Sequence, residues 1–391
     1  MTTTFAPGRS GRSGFLDRAR SAIIGLDWIL LVGVAAITAF SLFVVGRSTE
    51  TDLPGDPRYF LDRQILFVAI GTVLMIVATR IDLDRLARWA WALWGGLLGA
   101  LAMVFVLGSA VKGSNRWIEI GPFNLQPSEA GKVIMMVVLA GLAVERMQDV
   151  GRPRYSLFLT GVIAVPTVVI FLQPDLGTAM VYAVVLAAIL FLVGVPWTHF
   201  AVFGSTLAIV ILGVLWILPN AGVKVLQDYQ VERLTAFMGA ERDTSDAGYQ
   251  LDQSTTAIGS GGAVGKGPDG ATQAINDFLP EHHTDFIFAV TSEMFGFVGG
   301  GLLIALYALV LWRGLRTLAR ASSQVDMLVA GAIVAMIGFQ VFVNIGMTVG
   351  IMPITGIPLP FMSYGGSHTL TSMVAVGLLL GIHRRRSAVP G

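Results

Sequence analysis

The chain has 391 residues, of which 54% are hydrophobic and only 13% are charged, and its formal net charge is +1. A soluble domain carries about 25% charged residues, so this composition excludes an ordinary soluble protein and indicates a polytopic membrane protein. The absence of cysteine excludes disulfides, thiol nucleophiles and cysteine-ligated metals. The near-zero net charge argues neither for nor against nucleic acid, and no nucleic-acid partner is predicted.

Apolar runs that can cross a membrane, which requires about 20 residues each, recur along the chain. We predict an all-α fold, a polytopic membrane protein with ten transmembrane helices and one long extracytoplasmic loop. The predicted spans cover residues 23–45, 64–80, 86–108, 128–145, 157–172, 176–194, 199–218, 285–312, 325–350 and 360–383. The predicted organisation is an N-terminal tail (1–22), helices one to seven (23–218), the large loop (219–284), helices eight to ten (285–383) and a C-terminal tail (384–391).

Arginines cluster in alternate connections between the predicted spans. With the N-terminus in the cytoplasm, an even number of spans places the C-terminus there too, and 16 of the 26 basic residues then lie in short cytoplasmic segments. This is the distribution that the positive-inside rule requires. We therefore predict that both termini are cytoplasmic and that the outside segments are residues 46–63, 109–127, 219–284 and 351–359.

The first outside segment with chemical character contains Arg116 and runs into Pro127-Ser128-Glu129, a plausible helix start with an acid near the positive end of the helix dipole. Glu129 and Lys132 are three residues apart and share one helix face. Two interpretations stay open. The pair is a structural ion bridge inside the bundle, or Lys132 and Arg116 hold an anionic group at the outer surface.

Two further segments carry polar residues outside. Gln173-Pro174-Asp175 separates the fifth and sixth spans, because proline breaks the helical pattern, and Asp175 either caps the sixth helix or contributes to a site. The glycine-dense stretch 258–267, which includes Lys266, lacks the spacing of a phosphate-binding loop. It is interpreted as a turn that lets backbone approach a bulky ligand, or as a flexible hinge.

Residues 281–285, Glu-His-His-Thr-Asp, place acids and imidazoles against the start of the eighth span. Ionisable groups at a membrane boundary are costly and usually mark a site, and Asp285 is the first candidate. Thr284 or Asp285 could instead cap the helix, and the two histidines could ligate a divalent ion. Glu293, farther along the same helix, favours a polar path into the bundle. After the ninth span an apolar, irregular connection leads to Ser363; such backbone survives at membrane depth when it lines a cavity.

Several motifs of unusual length run in order from the first span to the last. They are Asn115-Arg116-Trp117, Gln126-Pro127-Ser128-Glu129, Gln173-Pro174-Asp175-Leu-Gly-Thr, Ile258-Gly-Ser-Gly-Gly, Phe278-Leu-Pro-Glu-x-His-Thr-Asp-Phe-Ile-Phe-Ala and Gly356-Ile-Pro-Leu-Pro-Phe-x-Ser-Tyr-Gly-Gly-Ser. The chain resembles the SEDS family of bacterial cell-wall proteins, and within it the rod-shape (elongation) branch. Its departures are minor, such as His368 where a small polar residue is usual.

The resemblance implies a peptidoglycan glycosyltransferase in the bacterial cytoplasmic membrane that polymerises lipid II at the outer face, working with a class B penicillin-binding protein of the PBP2 type and the elongation machinery. It implies Asp285 as general base. Predicted substrate contacts are Arg116, Glu129, Lys132, Asp175, Lys266, Glu281, His283, Thr284 and Ser363. No cofactor is certain, and a divalent cation, Mg²⁺ or Mn²⁺, stays open.

Two other functions compete with this interpretation. Ten spans with intramembrane acids also fit a flippase or transporter of a lipid-linked precursor, although the sequence shows no recognisable inverted repeat of broken helices. A scaffold without catalytic activity that docks a transpeptidase fits the loops, but it leaves the acid and imidazole cluster unexplained.

Overall fold

The computed structural model describes residues 25–53, 55–111, 114–120, 123–213, 246–275 and 278–387. Over these residues the fold is almost entirely helical. The helices are α1 (Trp28–Ser48), α2 (Tyr59–Ala78), α3 (Leu83–Ala87), α4 (Ala90–Leu107), α5 (Pro127–Glu145), α6 (Pro153–Leu172), α7 (Leu176–Val193), α8 (Trp197–Leu212), α9 (Asp246–Gly261), α10 (Thr272–Ile275), α11 (Ile287–Leu318), α12 (Gln324–Thr348) and α13 (Gly366–Ser387). The predicted tail 1–22 and residues 219–245 of the large loop lie outside the described residues.

Within the described part of the chain, eight helices are long and apolar enough to cross a membrane: α1, α2, α4, α5, α6, α7, α11 and α12. The other two predicted spans correspond to α8, which has 16 residues, and to α13, whose end carries consecutive arginines. Helix α11 extends six residues beyond the predicted boundary, to Leu318, because Arg313 and Arg316 remain in its last turns rather than ending it. The helical fold is confirmed.

Helices α5 and α12 form the centre of the bundle, and most of each is buried. Helix α5 packs against α4, α7 and α12, while α12 also packs against α7 and α11. The peripheral helices turn large apolar side chains outward, such as Val106 and Phe297, which are 81% and 82% exposed. An apolar outer face is what contact with lipid requires.

The sequence prediction did not include a small antiparallel sheet between α4 and α5. Its strands are β1 (Ser109–Val111), β2 (Ser114–Ile120) and β3 (Phe123–Leu125), in the order β1-β2-β3. In the register of β2 and β3, Ile118 lies opposite Leu125. Three short strands do not produce a long enough alternating pattern to be recognised beside spans of 20 residues.

The glycine-dense stretch is used for close packing inside the protein. A Cβ atom at Gly261 would lie 2.0 Å from the carbonyl oxygen of Ser292, and one at Gly265 would lie 2.2 Å from that of Met294. Opposite them, Gly296 breaks α11 with a φ of 64°, a conformation that favours glycine. The amides of Phe297 and Val298 donate to carbonyls of this stretch, so the backbone approaches α11 rather than an open ligand site.

Candidate active site

Asp285 lies on a tight turn immediately before α11. Glu281 has a left-handed φ of 55°, and its carbonyl oxygen accepts from the amides of Thr284, Asp285 and Phe286 at 3.1, 3.1 and 3.2 Å. The hydroxyl of Thr284 donates to the Glu281 carboxylate at 2.9 Å. The N-cap of α11 is Phe286, with no capping side chain, so the alternative that Thr284 or Asp285 caps this helix is wrong. The turn positions a half-buried acid outside the helix.

The connection between α12 and α13 holds this turn in place. The hydroxyl of Ser363 donates to the carbonyl oxygen of Thr284 at 2.6 Å. The side-chain amide of Asn344 donates to the main-chain carbonyls of Asp285 and Ile357 at 2.9 and 2.8 Å. Asn344 therefore joins α12 to both the turn and the connection. Ser363 and Asn344 are fully buried. Two buried side chains, those of Ser363 and Asn344, therefore hold the main chain around Asp285.

The ring of His283 lies in an aromatic cluster beside the turn. Its centroid is 4.7 Å from that of Phe60 on α2 and 5.6 Å from that of Tyr364. The carbonyl oxygen of His283 accepts from the amide of Tyr364 at 2.9 Å. These contacts orient the imidazole but do not test its predicted contact with substrate.

Glu129 and Lys132 form a close ion pair within the first two turns of α5. The Nζ atom of Lys132 is 2.5 Å from Oε1 of Glu129, and the side chains are 2% and 5% exposed. Nδ1 of His368 on α13 lies 3.5 Å from Oε2 of the same glutamate. In this conformation Glu129 and Lys132 form the structural ion pair that the first interpretation predicts. His368, which departs from the family pattern, lies beside the same glutamate as a third ionisable group.

Arg116 and Asp175 organise the break between α6 and α7. The guanidinium of Arg116, on β2, donates through Nε to the carbonyl oxygen of Gln173 at 3.0 Å and through NH2 to that of Pro174. The carboxylate of Asp175 accepts from the first turn of α7 at 3.1 Å and from the side-chain amide of Gln126 at 2.8 Å. The interpretation that Asp175 caps α7 is confirmed. Arg116 joins strand β2 to the segment between α6 and α7.

Lys266 belongs to a cluster around Glu293. Its Nζ lies 3.1 Å from Oε1 of Glu293, a carboxylate that is completely buried in α11. The same glutamate accepts from the hydroxyl of Thr272 at 3.3 Å and from the amide of Gln273 at 3.2 Å. The sequence predicts a polar path into the bundle at Glu293. In the structure these donors surround the carboxylate, and the ammonium of Lys266 compensates the negative charge of Glu293.

The irregular connection 349–365 contacts the Asp285 turn and passes close to the start of α7. It holds the Asp285 turn through Ser363, and its Thr355 carbonyl lies 2.9 Å from where a Cβ of Gly177 would stand, next to Asp175. Just beyond the connection, the hydroxyl of Ser367 accepts from the main-chain amide of Gln126 at 2.9 Å. The structure thus brings the Asp285 turn and the start of α7 beside Asp175 to one connection. The Glu129–Lys132 pair is contacted by His368, in the first turn of the helix that follows this connection, and Lys266 is paired instead with Glu293.

Sequence reasoning missed Asp52, in the connection between α1 and α2. Its Oδ2 atom lies 3.4 Å from Nε2 of His282 and 3.7 Å from Nδ1 of His283. More than 200 residues separate Asp52 from the histidines, and no local pattern marks this aspartate among the other acids of its connection. Only the fold reveals the cluster.

The family model for the FtsW/RodA/SpoVE proteins, described as "Cell cycle protein", matches residues 24–388. The chain belongs to this family. The resemblance to the SEDS proteins is confirmed over nearly the whole chain, and with it a multi-pass membrane protein.

Relatives within the family are similar in sequence over most of their length. "Peptidoglycan glycosyltransferase MrdB" of Escherichia coli is 36% identical over 367 residues, which are 93% of this chain and 95% of the relative. "Stage V sporulation protein E" of Bacillus subtilis is 34% identical, covering 91% of this chain and 94% of the relative. Proteins named "Probable peptidoglycan glycosyltransferase FtsW" match at a similar level. The one from Halothiobacillus neapolitanus is 35% identical, covering 96% of this chain and 90% of the relative.

Two solved structures share the fold. One is a chain from a study of the structural coordination of polymerization and crosslinking by a peptidoglycan synthase complex, with 32% identity and a TM-score of 0.76 over 93% of this chain and 99% of that one. The other is the rod shape determining protein RodA of Thermus thermophilus, with 28% identity and a TM-score of 0.67 over 93% and 98%. The fold is therefore shared with these structures over 93% of this chain.

Proposed function

We propose that the chain is a peptidoglycan glycosyltransferase that polymerises lipid II into glycan strands at the outer face of the bacterial cytoplasmic membrane, for cell elongation and shape. Relatives of this length and identity are named peptidoglycan glycosyltransferases. The structural observation that carries the proposal is the anchored turn: buried Ser363 and Asn344 fix the main chain on both sides of a half-buried aspartate. Catalytic groups need this kind of positioning.

Asp285 is the general base of the proposed reaction. The 4-hydroxyl of one sugar attacks the anomeric carbon of another, a new glycosidic C–O bond forms, and the bond to the lipid pyrophosphate breaks with inversion. The carboxylate accepts the hydroxyl proton as the bond forms, which requires an oxygen-to-oxygen distance of about 2.6–3.2 Å in the complex. The pyrophosphate leaves with the electron pair of the broken bond.

Cationic groups stabilise the charge that grows on this leaving group. Arg116 is half-buried and is the more accessible of the two predicted cations, whereas Lys132 is 2% exposed and contributes its charge from within its pair with Glu129. A divalent cation, Mg²⁺ or Mn²⁺, would supply further charge compensation at the pyrophosphate. Glu281, His283, Thr284 and Ser363 lie in or against the turn that carries Asp285. They are proposed to contact the substrate, together with Asp175 at the α6–α7 break, and Lys266 is proposed to act from its pair with Glu293.

A transpeptidase of the class B penicillin-binding protein type is the proposed partner. The structural neighbour from a complex that coordinates polymerization and crosslinking supports an assembly of this kind. Crosslinking follows polymerisation in chemical order, because the stem peptides become neighbours once the glycan strand exists.

The proposed orientation has both termini in the cytoplasm and the Asp285 turn outside. Contacts at the opposite end of the bundle support it. Arg313, near the end of α11, pairs with Asp27 at the start of α1, with Nε 2.9 Å from the carboxylate. Arg385, near the end of α13, pairs with Asp326 at 2.6 Å. The beginning of the first helix and the end of the last are thus at one end, where the arginines collect.

A reconstitution experiment separates the three candidate functions. The purified chain, alone and with its transpeptidase partner, is mixed with lipid II in detergent and the products are separated by length. A glycosyltransferase makes glycan polymer there, where no bilayer exists. A flippase makes none in detergent but moves lipid II across a liposome bilayer, and a scaffold does neither.

A further inference from the structure

We propose that Asp52, His282 and His283 form a binding site for a borderline transition-metal ion of the Zn²⁺ type, which ties the connection between α1 and α2 to the turn that carries Asp285. One ligand atom from each residue lies within 4.8 Å of the other two. The site differs from the Mg²⁺ or Mn²⁺ proposed at the pyrophosphate, because it uses two imidazole nitrogens. It does not depend on the chain being a glycosyltransferase.

The spacing of the ligand atoms fits a small ion. Oδ2 of Asp52 is 3.4 Å from Nε2 of His282 and 3.7 Å from Nδ1 of His283. Zn²⁺ binds nitrogen and carboxylate oxygen at about 2.0–2.2 Å in a tetrahedron, which separates neighbouring ligand atoms by about 3.3–3.6 Å. Two imidazoles and one carboxylate select Zn²⁺ or a neighbouring transition ion over Mg²⁺ and Ca²⁺, which prefer oxygen.

The surroundings of His282 require a cation. Nδ1 lies 3.2 Å from the carbonyl oxygen of Leu279, and Nε2 lies 3.1 Å from that of Ser48. A neutral imidazole carries one N–H and one lone pair. Either neutral tautomer therefore points a lone pair at a carbonyl oxygen, which is repulsive. A cation at Nε2 removes the conflict, since Nδ1–H then donates to Leu279 and Nε2 becomes a ligand.

A metal ion accounts for more of the arrangement than a proton does. A proton on Nε2 serves His282 alone, whereas a metal ion also uses Nδ1 of His283, which faces the same carboxylate oxygen. The hydrogen bond from Nδ1–H of His282 to a carbonyl is the usual outer support of a metal-bound histidine. The Ser48 carbonyl supplies a nearby fourth oxygen. His282 is buried, and the side chains of His283 and Asp52 are 17% and 14% exposed, which leaves the ion a route from solvent.

The consequence of such a site is mechanical. Asp52 belongs to the short connection after α1, and His282 and His283 are inside the turn that begins at Glu281. An ion bound to all three closes a bridge between parts of the chain that are far apart in sequence. Bridges that close long loops restrict the unfolded chain most. The ion would therefore tie the Asp285 turn to the α1–α2 connection, in addition to the contacts that the turn makes with the α12–α13 connection.

The test measures metal binding directly. The full chain is purified in detergent through an affinity tag without histidine, stripped with a chelator, and dialysed against Zn²⁺, with the bound metal counted per chain. We expect one ion per chain. Because the loss of an outer-shell partner alone costs about 10- to 100-fold in affinity, loss of a ligand in His282→Gln or in Asp52→Asn should cost at least that much. His199→Ala is the matched control, because Nδ1 of His199 contacts Ser156 at 2.8 Å in another part of the bundle. Its Zn²⁺ binding should equal that of the parent chain.

Several results would overturn the proposal. One is that the parent chain binds no more Zn²⁺ than the two variants. Another is that Mg²⁺ competes equally with Zn²⁺. A third is that the unfolding temperature depends on pH in the parent but not in His282→Gln, and does not respond to Zn²⁺. The last result would mean that a proton alone fills the position. Visible spectra with Co²⁺ provide a second readout, in which the parent and His199→Ala show the bands of a tetrahedral nitrogen and oxygen site. None of these readouts uses lipid II, so failure here is distinct from failure of the proposed polymerisation.

Discussion

The hydroxyl of Ser363 donates a 2.6 Å hydrogen bond to the carbonyl oxygen of Thr284 and accepts one of 2.8 Å from the amide of Leu359. Ser363 is fully buried, and its side chain is one of the contacts that join the connection before the last helix to the turn beside Asp285. The position of the proposed base therefore depends on a residue almost eighty positions away in the sequence, in the connection between α12 and α13.

Replacing this hydroxyl should weaken both stability and turnover. Ser363→Ala leaves the buried amide of Leu359 and the partly buried carbonyl oxygen of Thr284 without their partner, a loss of about 1–3 kcal/mol, and lets the Asp285 turn move. Thermal unfolding in detergent and lipid II polymerisation measure the two effects. Ser205→Ala is the control, because its hydroxyl is exposed on α8 and contacts only its own helix. Equal behaviour of the two variants would contradict the positioning role of Ser363.

Two glycines of α9 give a matched pair for the packing against α11. A methyl group at Gly261 would lie 2.0 Å from the carbonyl oxygen of Ser292, whereas one at Gly259 meets nothing within 4 Å. Gly261→Ala should lower stability by about 1–3 kcal/mol through overpacking, and Gly259→Ala should be neutral or stabilising by up to about 1 kcal/mol. The unfolding midpoints of the two variants check this. If both alanines are tolerated, the stretch is the flexible hinge considered from the sequence.

The pair of Lys266 and Glu293 separates a structural role from a substrate contact. Lys266→Ala leaves a buried carboxylate without its ammonium partner and should lower the unfolding midpoint. Adding Glu293→Gln removes the uncompensated charge, so the double variant should recover part of the loss. A substrate contact alone predicts the reverse: weaker lipid II turnover, an unchanged midpoint, and no recovery in the double variant.

The helices were predictable from the sequence because each span is a long apolar run, and the Asp175 cap was predictable because its partner is three residues away. The contacts that position Asp285 were not, since Ser363, Asn344 and Asp52 reach the turn only after the bundle has formed. The neighbour of the glycine stretch was not predictable for a related reason. The density of glycine indicates that its backbone lies close to another group, but only the fold shows that this group is the backbone of α11.

The orientation has its own test in a chain that has no native cysteine. Asp269→Cys, at a side chain that is 93% exposed in the proposed outside loop, should react with a membrane-impermeant maleimide added to intact spheroplasts. Gly151→Cys, an exposed position beside Arg152 on the proposed cytoplasmic side, should react only after lysis. The opposite labelling pattern would place Asp285 in the cytoplasm and exclude polymerisation at the outer face.

The central claim is that Asp285 accepts a proton during polymerisation of lipid II. The most direct measurement is glycan formation by purified Asp285→Asn, which keeps the shape of the side chain and removes its basicity, beside Asp269→Asn, the same change at an exposed carboxylate near Arg47. General-base catalysis contributes about 100- to 10,000-fold. We expect Asp285→Asn to lose polymerisation by at least that range with an unchanged unfolding midpoint, and Asp269→Asn to match the parent chain. Polymerisation by Asp285→Asn within a few-fold of the parent would contradict the assignment.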